Sequence, residues 1–264
     1  MNYSNVLTGI FISRPNRFIA HVRIFANDQE EKTVICHVKN TGRCRELLIP
    51  GVEVILMFHP DASVLGRKTD YSLIGVWKER KKDRLLINMD SQAPNQVAFE
   101  WLSSNSTKFL IPVYERDTHK PQQILSLSNI RREVSYDQSR FDLAFEMVTK
   151  DPEGALIKIP AFMEVKGVTL EEQNVAMFPD APTIRGVKHI MELIRARKEG
   201  YETYLLFVIQ MKGMVSFTPN KITHPEFCTA LKSAKEAGVH LLAYDCTVTK
   251  DSLSIDQPIP ICLT

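Results

Sequence analysis

The sequence predicts a mixed α/β protein in two parts, a small antiparallel β-barrel or sandwich over residues 1–83 and a larger α/β domain over residues 84–264. Three observations predict it. Short β-rich runs bounded by turn residues fill the first part. A charged stretch, Lys78 to Arg84, marks a boundary. Beyond it, strand patterns alternate with helical ones, as in a mixed sheet with helices on its faces.

The first strands are read from Gly9 to Ile24, broken at Pro15-Asn16, then from Thr33 to Val38, Val52 to Phe58 and Ser72 to Trp77. Asn40-Thr41-Gly42, Pro50-Gly51 and Pro60-Asp61 supply the turns between them. In the second part, Val97, Ala98, Trp101 and Leu102 fall on one face of a short helix over residues 95–102, with Pro94 near its start. Ile124 to Tyr136, Arg140 to Val148 and Leu156 to Leu170 read as strands. Asp151-Pro152-Glu153-Gly154 is a type I turn between the last two. Val187, Ile190, Met191 and Ile194 line one face of a helix over residues 184–199, which Gly200 is placed to end. Tyr204 to Gln210 is an apolar strand of the buried type. A second helix, Glu226 to Ala237, stops at Gly238, and Val239 to Tyr244 is a last buried strand.

Composition narrows the function classes. Of 264 residues, 44% are hydrophobic and 24% charged, enough apolar side chains for a core and too many for a disordered chain. The net charge of +2 is mild, so any nucleic-acid surface must be a local basic patch. The N-terminus lacks the pattern of a signal peptide, and there is no apolar run long enough to span a membrane. Five cysteines with no CxxC pair argue for reduced thiols in a cytoplasm and against a disulfide frame or zinc site. A cytoplasmic protein is expected.

The pattern with chemical content is an acidic hairpin. Strand alternation puts Arg140, Asp142, Ala144 and Glu146 on one face, and Phe162, Glu164, Lys166 and Val168 on one face of the next strand. A turn centred between Pro152 and Glu153 brings Asp142 opposite position 163 or, with a bulge, 164. Two carboxylates meeting on a sheet repel unless a cation lies between them. Mg²⁺ takes oxygen ligands and keeps water and substrate phosphate as the rest. Lys166 points to the same place, where it would stabilise charge or orient a water. The competing reading is a solvated salt bridge, because a D…ExK triplet arises often by chance. The bulky apolar neighbours Phe141, Leu143, Phe162 and Val165 favour a buried site instead.

The chain resembles the sugar fermentation stimulation protein A family. The matching residues are His37-Val-Lys-Asn-Thr-Gly-Arg43 with Pro50-Gly51, Ser139-Arg-Phe-Asp142, Glu164-Val-Lys-Gly-Val-Thr-Leu170, Phe178-Pro-Asp-Ala-Pro-Thr-Ile-Arg-Gly-Val-Lys-His189 and Gly238-Val-His-Leu-Leu-Ala-Tyr244. They extend over almost the whole chain. The resemblance implies an N-terminal OB-like β-barrel and a C-terminal domain similar to PD-(D/E)XK nucleases. It also implies DNA binding without marked sequence preference and a regulatory role in sugar (maltose) catabolism. Through it, Asp142 and Glu164 become expected ligands of Mg²⁺ or Mn²⁺, and Asp142, Glu164 and Lys166 expected catalytic residues. Glu100, the one acidic residue of the short helix, becomes an expected third metal ligand.

Two groups of cations are candidate DNA contacts. Lys39, Arg43 and Arg45 lie in the loop after the third strand, where OB-type barrels bind nucleic acid. Arg185, Lys188 and His189 lie in the first turns of the clearest helix, whose N-terminus itself favours anions. Each group has a bland alternative, a solvated loop and an exposed helix face. The remaining histidines show no ligand spacing. Three functions compete: a DNA-binding regulator with a nuclease-like metal site, a working Mg²⁺-dependent endonuclease or phosphodiesterase, and an adaptor for RNA or protein. The sequence sets no oligomeric state; a homodimer is the assembly to test first.

Overall fold

A computed structural model describes residues 1–25, 30–40, 42–104, 113–114, 121–137 and 139–263. Thr41, one residue of the expected turn after the third strand, lies outside them.

Period-two alternation builds the first unit. Its strands are β1 (Val6–Asn16), β2 (Ile19–Phe25), β3 (Glu31–Val38), β4 (Glu53–Phe58), β5 (Tyr71–Glu79) and β6 (Arg84–Asn88). Ala20, Val22 and Ile24 of β2 and Val34, Cys36 and Val38 of β3 turn inward and are buried. The strand order is β3-β2-β1-β4-β5-β6, and a further β3–β5 pairing closes the first five into a barrel. Gly9 permits the tight crossing of β1 over β2, since a Cβ there would stand 2.5 Å from Val22 Cγ1 and 2.9 Å from the Arg23 carbonyl. β6 pairs with β5, so this sheet runs to Asn88, past the boundary expected at 83/84. The charges of Lys78 to Arg84 belong to a hairpin of the sheet and not to a linker.

The second unit follows as α1 (Ala93–Ser104), β7 (Val113–Tyr114), β8 (Pro121–Gln122), β9 (Ser126–Tyr136), β10 (Ser139–Lys150), β11 (Leu156–Val168), β12 (Leu170–Glu172), β13 (Val175–Phe178), α2 (Ile184–Lys198), β14 (Glu202–Ile209), β15 (Ser216–Pro219), α3 (Pro225–Glu236), β16 (His240–Val248) and β17 (Leu253–Pro258). Its main sheet has the order β17-β16-β14-β11-β10-β9, with β14 parallel to both β11 and β16. Every residue of β14 is buried, because helices cover both faces. Val97, Ala98 and Leu102 of α1 pack on Leu143, Phe145, Met163 and Leu206. Ile190 and Leu193 of α2 and Phe227 and Leu231 of α3 pack on Leu205 and Phe207 from the other side. The fold is thus mixed α/β with a closed N-terminal barrel, as the sequence predicts.

The second apolar cluster also contains Phe11, Val22, Val38 and Leu56 of the barrel, so one core runs through both units. Among the described residues no helix is long and apolar enough to cross a membrane.

Candidate metal and nucleic-acid site

The Asp151-Gly154 turn sets the register of the acidic hairpin. Gly154 N donates to the Asp151 carbonyl at 3.0 Å, and Ala155 N donates to Asp151 Oδ1 at 2.8 Å. Gly154 takes φ 87°, a conformation open to glycine. Lys150 then faces Leu156, and the ladder runs back to Leu143 opposite Met163. The loop is centred on Glu153 itself, which brings Asp142 level with Glu164 without a bulge in this pair.

The ladder stops at Asp142. The next amide, that of Val165, donates to Asp142 Oδ2 at 2.8 Å instead of to a backbone carbonyl. Asn95 Nδ2, in the first turn of α1, donates to Asp142 Oδ1 at 2.7 Å. The strict alternation expected for this strand breaks here. Phe141 joins Ala144 and Phe162 in the cluster beneath α2, while Leu143 and Phe145 face α1. Beside it in β9, Glu133 takes φ 53°. The Asn95 and Val165 contacts, and not only a face of the strand, therefore aim Asp142.

Glu164 is 2% exposed. Its Oε1 accepts from Lys166 Nζ at 2.5 Å and from His189 Nδ1. Its Oε2 is buried with no hydrogen-bond partner among the described residues. His189 arrives on α2, whose first turn is capped by Thr183 Oγ1 accepting from Gly186 N at 3.0 Å. Arg185 Nε donates to His189 Nε2 at 3.2 Å, which leaves Nδ1 as the donor toward Glu164. Asn95 is a part of the site that the sequence does not point to; Arg185 and His189 are expected there as phosphate contacts, and the hydrogen bonds that chain them to Glu164 are not foreseen.

Other expected residues are placed differently. Glu100 does not join the pair: it accepts from the Met1 ammonium at 2.6 Å and from Gln96 Nε2 at 2.7 Å. Asn95 faces the site, and a residue five positions on is turned away by about 140° around the helix. His189 offers no free nitrogen to a phosphate, since both are engaged. Lys188 lies on the exposed side of α2, 3.7 Å from Glu192. In the barrel loop, Lys39 turns inward to the buried Asp90 at 2.6 Å, while Arg43 and Arg45 stay exposed. Arg14 holds this loop from below, with Nη1 donating to the Gly42 and Arg43 carbonyls at 3.0 and 2.7 Å and Nη2 to the Asn40 carbonyl at 2.8 Å. Asp180 abuts the same loop; a Cβ on Gly42 would stand 2.6 Å from its Oδ2.

The N-terminal OB domain model of the sugar fermentation stimulation proteins matches residues 12–87, and the RE domain model of the same proteins matches residues 92–252. The chain belongs to the sugar fermentation stimulation protein family. The homolog from Alkaliphilus oremlandii is 49% identical over 261 residues, covering 99% of this chain and 98% of its own. The homolog from Clostridium beijerinckii is 46% identical over 263 residues, all of both chains. Among solved structures, that of Pyrococcus furiosus SfsA in complex with Ca²⁺ is similar, with a TM-score of 0.74 and 25% identity over 99% of this chain and 97% of that one. The family's OB domain ends within β6, and its RE domain contains both carboxylates, Lys166 and α2.

The electrostatics of this family member mark the carboxylates as a strained pair. Burial, and then the charge of Glu164, raise the Asp142 carboxyl above its ordinary value; the Val165 amide and Lys166 oppose this. Burial also works to raise Glu164, but the His189 hydrogen bond and the Lys166 charge outweigh it and hold that carboxyl below its ordinary value. Among the described residues no three His, Cys, Asp or Glu side chains gather as a metal cage. Two carboxylates with spare lone pairs are nonetheless a set that a hard cation accepts when water and phosphate complete its shell.

Proposed function

We propose that the chain is a DNA-binding protein of the cytoplasm that holds a divalent cation, Mg²⁺ or Mn²⁺, between Asp142 and Glu164 and sets a backbone phosphate beside it. The observation that supports this most is Glu164 itself: a carboxylate with an unpartnered buried oxygen, next to a second carboxylate whose ionisation it disfavours. A buried polar atom without a partner costs free energy unless a ligand engages it. A divalent cation bound there would offset the repulsion and polarise a phosphate oxygen. Lys166 brings a positive charge to the same point, and the Thr183-capped start of α2 with Arg185 offers amide and guanidinium donors to the flanking phosphate. Arg43 and Arg45, exposed on the barrel loop, extend the cationic surface. The Ca²⁺ in the Pyrococcus furiosus structure supports a divalent site in this family. Membership in the sugar fermentation stimulation family supports a regulatory role in sugar catabolism exercised through DNA.

Isothermal titration with Mg²⁺, Mn²⁺ and Ca²⁺ tests the metal. The wild type is expected to bind, and Asp142→Asn and Glu164→Gln to lose binding by tenfold or more, about 1.4 kcal/mol. Equal binding by all three proteins would remove the site. Gel shifts across a salt series test the DNA. Arg43→Ala and Arg185→Ala are each expected to make the slope of log K against log salt shallower by about 0.9. Binding indifferent to salt would exclude DNA as the partner.

A second reading, a working endonuclease, is favoured by the placement of Lys166 against Glu164. Plasmid and single-stranded DNA incubated with Mg²⁺ or Mn²⁺ would then be cut by the wild type and left intact by Asp142→Ala.

A further inference from the structure

A cavity of about 530 Å³ opens on the barrel, away from the carboxylates. Its walls come from the β1–β2 turn, the outer face of β3 and the loop between β4 and β5: Asn16, Phe18, His37, Arg67, Lys68 and Thr69. The volume is within the range of small-ligand sites.

The wall residues are held in place. Asn16 Oδ1 accepts from Phe18 N at 2.9 Å and from Ile19 N at 3.1 Å, and the Phe18 carbonyl accepts from Val38 N at 2.7 Å. A fixed backbone therefore keeps an aromatic ring 43% exposed. The Arg17 guanidinium lies over that ring, 4.6 Å from its centroid. Arg67 is anchored by one arm, with Nη2 donating to Ser72 Oγ at 2.9 Å, while its Nε–H is buried and finds no partner among the described residues. Among the described residues no carboxylate lines the cavity. Burial first, then Arg67 and Lys39, push the His37 imidazole below its ordinary value, so it presents a neutral, flat surface in a positive field.

A ring held out to solvent, guanidinium and ammonium groups beside it, and amide and hydroxyl groups at the rim fit one chemistry. It is a planar base joined to a phosphate. A base inside a duplex is stacked on both faces and cannot meet the ring, so the base must be unpaired. A run of neighbouring residues lies between the cavity and the carboxylate site. His37 is two positions from Lys39, Lys39 bonds Asp90, and Asp90 stands at the start of α1, whose Asn95 holds Asp142.

We propose that this cavity binds one unpaired nucleotide of a DNA strand, with the base stacked on Phe18 and a phosphate at Arg67 and Lys68. The proposal rests on the reading of the chain as a DNA-binding protein. The partner class becomes DNA with an unpaired stretch: single strands, frayed ends or flaps.

Fluorescence anisotropy distinguishes the outcomes. The probes are a short oligothymidylate, the same strand with abasic sites, a duplex of matched length and free thymidine monophosphate. The proteins are wild type, Phe18→Leu, Phe18→Tyr and Lys68→Gln, each shown to melt as the wild type does. The wild type should bind the oligothymidylate more tightly than the abasic strand or the free nucleotide. Phe18→Leu should lose about 5- to 100-fold for the oligothymidylate, leave the duplex within twofold, and be rescued by Phe18→Tyr. Lys68→Gln should weaken the strand and flatten its salt dependence. Equal wild-type affinity for the abasic strand, or no effect of Phe18→Leu while strand and duplex both bind, overturns the pocket alone. Binding of the free nucleotide without binding of the strand overturns the strand as its source. Failure of the wild type to bind any DNA overturns the broader reading instead.

Discussion

Asp142 shows how a single side chain is aimed by chemistry outside its own strand. Asn95 and the Val165 amide grip its two oxygens, and neither partner follows from strand alternation. Its carboxyl is raised by burial and by Glu164, so the folded protein prefers it protonated more than the unfolded chain does. The stabilising contribution of that preference is fully present below the ordinary carboxylate range and is lost as pH rises through the raised value. A cation bound at the pair requires the ionised form, and so binds with release of the proton. The increase in melting temperature on adding Ca²⁺ or Mn²⁺ is therefore expected to be small at the acid end and to grow as pH rises through and beyond the ordinary carboxylate range. Scanning calorimetry at several pH values checks it. A metal-induced shift that is flat with pH would mean that Asp142 takes no part. That Asp142 and Glu164 would meet was legible from Asp151-Pro152-Glu153-Gly154, because a turn is local. That Phe141 would leave its expected face was not, because the contacts that hold Asp142 come from Asn95, 47 positions away, and from the Val165 amide, 23 positions away.

At the scale of elements, α1 is what gives the acidic hairpin its shape. It sits on β11 closely enough that a Cβ on Gly167 would stand 2.6 Å from Pro94 Cγ and 2.6 Å from Gln210 Oε1. Neither neighbour is free to move: the proline is part of the first helical turn, and Gln210 is buried and donates to the Asn88 side chain at 2.9 Å. Gly167→Ala is expected to push α1 off the strand and to cost about 1–3 kcal/mol, as overpacking does. It should also draw Asn95 away from Asp142. A lowered denaturant midpoint together with weakened metal binding is the outcome to look for. An alanine variant with wild-type stability would show that the contact relaxes freely. The apolar periods of α1, α2 and α3 made these helices legible in the sequence, and the buried run of β14 likewise. The short strands β12 and β13, a hairpin of three and four residues turned at Gln173-Asn174, are too brief to show a period, and β15 was not legible because it pairs with β13 from a distant segment. Glu100 was misplaced for a related reason: membership in the right helix does not say which way a residue points.

The whole molecule is tied together by a buried polar junction and not only by its shared core. Asp90, fully buried, accepts from Lys39 of the barrel loop at 2.6 Å, receives Tyr3 Oη at 3.4 Å, and accepts from Gln92 N at 3.0 Å as α1 begins. Gln210, at the end of β14, donates to the Asn88 and Asp90 carbonyls at 3.1 and 3.0 Å. Barrel, α1 and central sheet thus meet at one carboxylate. In the sequence, Lys39 reads as a free cation because nothing local indicates that a residue 51 positions on would close over it; the barrel must close first. Removing one partner of a buried ion pair leaves the other charge desolvated and costs about 3–5 kcal/mol. Asp90→Ala is expected to lose stability on that scale, while Lys39→Met, which also removes the charge left behind in a double variant, should restore part of it. Chemical denaturation of the two single variants and the double variant checks this. The double variant should be more stable than Asp90→Ala alone if Lys39 serves the junction, and it should keep the salt dependence of DNA binding close to wild type. If Lys39→Met instead made the salt slope shallower by about 0.9, Lys39 would be a phosphate contact after all, exchanging Asp90 for the DNA backbone on binding.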